Sequence, residues 1–146
     1  MNLQLFPIFF VAGCVVVVLV LVVIIKSSLV QNFLFRRSLS DEQKNFQQKW
    51  QQVEQMLETD NELIYRAAVV EADKLLDHAL KSHKLAGADL GQRLKVAAYQ
   101  FDVSSAWVAH KVRNRLVHEG DFHLDKRLAQ DTLYNYKRAL KNLKVL

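Results

Sequence analysis

The chain has 146 residues, with 20 Lys and Arg against 15 Asp and Glu, a formal net charge of +5 and 51% apolar residues. These residues are not one kind of material, because every charged side chain follows residue 25. One cysteine, Cys14, excludes an intrachain disulfide and a cysteine metal cluster.

The first element is "LFPIFFVAGCVVVVLVLVVII", Leu5 to Ile25, which carries no charge. About 21 residues at 1.5 Å rise make roughly 31 Å of helix, enough to cross a bilayer core. The valines favour strands in water. In lipid, unpaired backbone groups are too costly and a lone segment must be helical. Pro7 falls in the first turn, where its missing N–H is not needed.

Residues 1–30 are therefore expected to form a single transmembrane helix, with 31–39 as a juxtamembrane linker. Lys26 and Arg36-Arg37 follow the span and no charged side chain precedes it. The positive-inside bias then puts the N-terminus outside and the C-terminal domain in the cytoplasm. In "SSLVQNFLFRRS" the aromatic residues suit the lipid interface and the arginines suit headgroups. A cleaved signal peptide needs a basic lead and an apolar core of only about 7–15 residues. "VAGC", Val11 to Cys14, resembles a lipoprotein cleavage box. The apolar run continues beyond it, however, where a polar tether would be expected, and Cys14 reads better as a small residue in lipid.

From Ser40 to Leu146 the pattern predicts one all-α domain, an up-and-down helical bundle. In this stretch proline is absent, glycine occurs only at 87, 91 and 120, and apolar residues recur at three and four. The first helix starts at the capping-box sequence "SDEQ" and buries Phe46, Trp50, Val53 and Leu57. "TDNE", Thr59 to Glu62, offers a second capping box. The helix after it runs to about Lys84, with Leu63, Ala67, Val70, Leu75, Ala79 and Leu80 inward. A short helix from about Leu90 to Tyr99 carries Leu94, Ala97 and Ala98. The next runs from Asp102 or Ser104 to His118, burying Trp107, Ala109, Val112 and Leu116, and Gly120 suits a left-handed closing position. The last begins near Asp125 with Leu128, Leu133, Tyr136, Leu140 and Leu143 inward; the lysines of "KRALKNLK" complement its negative end.

Histidines 78, 83, 110, 118 and 123 lack the i, i+4 spacing of a helical zinc site, and no metal or other cofactor is expected. Ser104 and Ser105 lie in no nucleophile elbow, and no Gly-rich phosphate loop follows a strand. "VRNRLVHEG" remains. Asn114 and His118 are four apart on one helical face, and Arg113 stands about 100° round. A guanidinium can pair two phosphate oxygens, and an imidazole can move a proton near neutral pH. Arg115, Lys111 and Arg127 add positive field for a polyanion. The plainer alternative is a solvated helix end whose basic groups complement the dipole.

"VRNRLVHEG", following "AWVAHK" and preceding an amphipathic last helix, resembles the signature of HEPN domains: Arg, a polar residue, a few further residues, then His. "LGQRLKVAAY" and "DFHLDKRLAQDTLYNYKRAL" are similar in texture to small bacterial members. The resemblance covers about Glu62 to Leu146. It implies a compact helical bundle that cleaves RNA without metal as a homodimer, through Arg113, Asn114 and His118. A 2′-hydroxyl would attack the adjacent phosphate and leave a cyclic phosphate. A two-fold dimer would supply the second imidazole that one chain's motif lacks. Glu71, Asp73 and Asp77 receive no role. Many HEPN domains keep the fold without catalysis. The second expectation is thus a non-catalytic module that dimerises or recruits a partner to the bilayer.

Overall fold

A computed structural model describes residues 41–146 together with Val23, Lys26 and Ser27. The chain divides into two compact units, Met1–Glu42 and Gln43–Leu146. In the first, the described residues are helical. The predicted span at 5–25 and the Ser40 cap lie outside the described residues, Val23 excepted. Among the described residues no helix is long and apolar enough to cross a membrane.

The second unit is all-helical among its described residues. Its elements are α1 (41–56, of which Gln43 onward lies in this unit), α2 (Glu62–Ser82), α3 (Leu90–Ala97), α4 (Ser104–His118) and α5 (Lys126–Asn142). Contacts fix their directions. Glu62 Oε1 accepts from Leu124 N–H, Tyr136 donates to Asp73, and His83 meets the Leu143 carbonyl, so α2 and α5 run the same way. Arg66 reaches Leu116 O and His110 reaches Asp73, so α4 runs opposite to α2. Gln43 bonds Lys144 O and Glu54 pairs with Lys137, so α1 opposes α5. The result is the expected up-and-down bundle of α1, α2, α4 and α5, with α3 as a short excursion packed on α2 and α4.

The core is built where the 3.6-residue period puts apolar side chains. Phe46, Trp50 and Val53 bury from α1, and Leu133, Tyr136, Leu140 and Leu143 from α5 and its end, as the sequence predicts. On α2 the phase differs. Leu63 is 74% exposed and Ala67 is exposed, whereas Tyr65, Ala68, Val69, Ala72 and Leu76 are buried. "AAVV" fits either of two adjacent faces, and the amphipathic Tyr65, bonded to Asp60 at 2.9 Å, decides between them.

Helix ends are set by short-range bonds. The α2 N-cap is Asn61, two residues beyond the predicted Thr59; its side chain accepts from Leu63 N–H at 2.9 Å, while Thr59 donates to Met56 O. Asp89 and Asp125 cap α3 and α5. At the far ends of α2 and α5, Leu85 N–H reaches Leu80 O and Val145 N–H reaches Leu140 O. Lys84 and Lys144 take left-handed φ of 58° and 57° between them. These are Schellman closures with lysine where glycine is usual. Gly120 has no such role. α4 ends instead at an extended Glu119, and its terminal carbonyl at Leu116 is capped from outside by the Arg66 guanidinium.

Candidate functional site

An open cleft of about 1080 Å³ lies between α2, α3 with its lead-in, and α4. Asp73, Lys74, Asp77 and Lys81 line it from α2, Asp89 to Arg93 and Lys95 from the α3 side, and Trp107, His110, Arg113 and Asn114 from α4. Its five Lys and Arg outnumber its three Asp, so its formal charge is positive.

Asp73 is the anchor of this cleft. It sits on the buried face of α2, 6% exposed, and an isolated carboxylate there would be costly. Three partners offset that cost. Tyr136 Oη donates to Oδ1 at 2.7 Å, His110 Nδ1 lies 2.8 Å from the same oxygen, and Arg113 Nε stands 3.2 Å from Oδ2. Burial first, and then the charge and hydrogen bond of Asp73, push the Tyr136 phenol far above its ordinary range. The Arg113 contact is an ion pair by distance but not a hydrogen bond by angle, since buried Nε–H finds no aligned acceptor. The other end of that guanidinium, Nη1, donates to Asn114 Oδ1 at 3.3 Å.

The opposite wall is braced by Arg93. This residue is 7% exposed, with Nε on Asp77 Oδ1 at 2.7 Å and Nη1 on the Gly87 carbonyl. Lys81 joins Asp77 Oδ2 at 2.7 Å. Burial opposes ionisation of Asp77, but the hydrogen bonds and charges of Lys81 and Arg93 outweigh it and hold the carboxyl below its ordinary 3.8. Gly87 is required by close approach, because a Cβ there would lie 2.7 Å from Arg93 N.

The predicted trio is only partly gathered. Arg113 and Asn114 meet at the cleft wall. His118, one turn beyond Asn114, is exposed, lies outside the cleft lining, and makes no hydrogen bond or ion pair with a described residue. Its position depends on α2: Arg66 donates to Phe122 O at 2.6 Å and Leu116 O at 3.0 Å, and Glu62 takes Leu124 N–H at 3.0 Å and His123 Nδ1 at 2.6 Å. That backbone hydrogen bond first, then His123 and Arg66, lower the Glu62 carboxyl pKa. Arg115 turns away from the cleft, lying over the Phe122 ring at 4.1 Å and pairing with Glu119 at 2.9 Å.

Sequence reasoning missed the Asp73–His110 pair. The available signal was phase: Asp73 shares the buried stripe of Val69, Ala72 and Leu76, and a charge at a core position needs partners. His78 stacks on Phe46 at 5.1 Å, and His83 lies edge-on to Phe101, both at exposed helix margins. Ser104 Oγ donates to Asp102, and Ser105 is buried. Among the described residues no three His, Cys, Asp or Glu side chains gather as metal ligands. No family model matches the chain, and neither a curated protein nor a solved structure matches it.

Proposed function

We propose that this is a HEPN-like, membrane-anchored endoribonuclease that works without metal and as a homodimer. Arg113 and Asn114 would hold the scissile phosphodiester and His118 would carry a proton. The observation that carries this reading is the Arg113–Asn114 hydrogen bond at the wall of a positively charged cleft, with an exposed His118 one turn along the same helix. The guanidinium stabilises charge developing on phosphorus, and the imidazole transfers a proton to or from a ribose oxygen. The span at 5–25 would tether the domain to the inner leaflet, where confinement raises the effective concentration of weak dimers.

A second reading is favoured by one observation of its own. Arg113 is engaged by Asp73, and His118 stands outside the cleft, as they would in a non-catalytic module that dimerises or recruits a protein to the bilayer. Incubation of the full-length chain in detergent micelles with mixed RNA and chelator separates the two. The nuclease reading expects products with 2′,3′-cyclic phosphate ends that are lost in His118→Ala. Intact RNA beside a folded wild-type dimer supports the interaction module.

A further inference from the structure

His110 is 8% exposed, and its Nδ1 faces a carboxylate oxygen that can only accept, so Nδ1 carries the hydrogen and Nε2 is left as the basic nitrogen. Nε2 has no hydrogen-bond partner among the described residues, and the residue lines the cleft beside Arg113 and Asn114. Gly91, on the facing wall, keeps that nitrogen open; a side chain there would begin 3.7 Å from the Trp107 ring and 4.0 Å from Nε2. A buried imidazole, oriented by a carboxylate on one nitrogen and open to a cleft on the other, is how a general base is held. Asn114 follows His110 by four residues, about 6 Å further along the axis of α4, and both line the cleft.

We propose that His110 Nε2 is the proton acceptor for RNA cleavage in this cleft, a role that rests on the ribonuclease reading and leaves a second copy's His118 as the proton donor. His110 takes the proton from the ribose 2′-hydroxyl as the O2′–P bond forms. The P–O5′ bond breaks, and the leaving 5′ oxygen takes a proton from the protonated His118 of a second copy in the homodimer. The products are a 2′,3′-cyclic phosphate and a 5′-hydroxyl, with His110 protonated and His118 neutral until solvent resets both. Arg113 offsets the charge gathering on the phosphoryl oxygens. The charged and titratable groups nearest His110 are Asp73 from α2, Arg113 from α4, Tyr136 from α5 through Asp73, and Asp89 at the start of α3; Lys74, Asp77, His78 and Lys81 of α2 and Arg93 and Lys95 of α3 line the same cleft.

The test is single-turnover cleavage of a short RNA by the full-length chain in micelles with chelator, followed from roughly pH 5 to 9. His110→Asn keeps an N–H for Asp73 and removes the basic nitrogen. It should slow cleavage at least ~100-fold and erase the limb of the profile that rises with pH. Gly91→Val leaves the Asp73 contact untouched and covers Nε2, and it should slow cleavage by about tenfold or more at unchanged melting temperature. Should His110→Asn fail to fold, Gly91→Val decides alone. A wild-type rate and profile in a folded His110→Asn, or a wild-type rate in Gly91→Val, overturns this role while leaving the nuclease reading intact. Absence of cleavage by the wild-type chain overturns both.

Discussion

The middle and the end of α4 are held in opposite ways. In the middle, His110 and Arg113 are tied to Asp73, which is tied in turn to Tyr136, so one carboxylate joins α2, α4 and α5 inside the bundle. At the end, Val117 and His118 are exposed beyond the buried Leu116, and the chain there is steadied from α2 by Arg66 and Glu62 through backbone groups. The middle therefore couples geometry to stability. The end can present an imidazole to solvent at little cost to the fold. A site assembled from both would take its precision from the first and its access from the second.

Breaking the buried half should cost most. Asp73→Ala leaves the Tyr136 hydroxyl, His110 and the Arg113 charge without their acceptor, a loss of about 3–5 kcal/mol that a denaturant titration will read. His118→Ala, by contrast, should change stability by less than ~0.5 kcal/mol in the same measurement. A comparable loss in both variants would erase the distinction between the two regions.

The strap comes next. Arg66→Ala removes the guanidinium from two carbonyls and should cost about 2 kcal/mol. Hydrogen exchange should then rise through 119–124 while the centre of α4 stays protected. Uniform exchange across α4 would mean that its end has no separate support. Acid sharpens the cleft side of the comparison. The folded-state pKa of Asp77 is depressed, so its contribution is complete above about 3.8 and is lost as pH falls through the lower folded value. Asp77→Asn should remove that part of the acid unfolding profile, and an unchanged profile would contradict the assignment. One substitution should bring a gain: Lys84→Gly relieves a left-handed lysine and should stabilise by about 1 kcal/mol in thermal melts.

Elements with a single apolar phase were legible in the sequence. The α5 stripe from Leu133 to Leu143 follows from period alone, and α4 spans Ser104–His118 with the later of the two expected starts. The early part of α2 was ambiguous, because consecutive apolar residues fit two faces and only tertiary contacts choose. Gly120 misled for a related reason: the end of α4 is satisfied by Arg66, far away in sequence, and local turn chemistry could not reveal it. The motif pair Arg113 and Asn114 was legible as neighbours on one helix. The Asp73–His110 pair spans 37 residues, and only the packing of α2 against α4 brings it together.

The most direct measurement is the single-turnover rate of RNA cleavage, in chelator, for wild type beside His118→Ala at matched melting temperature. The wild type should give cyclic-phosphate products, and the rate should fall at least ~100-fold in the variant. Equal rates in the two proteins, or no cleavage by a folded wild type, would contradict the nuclease reading.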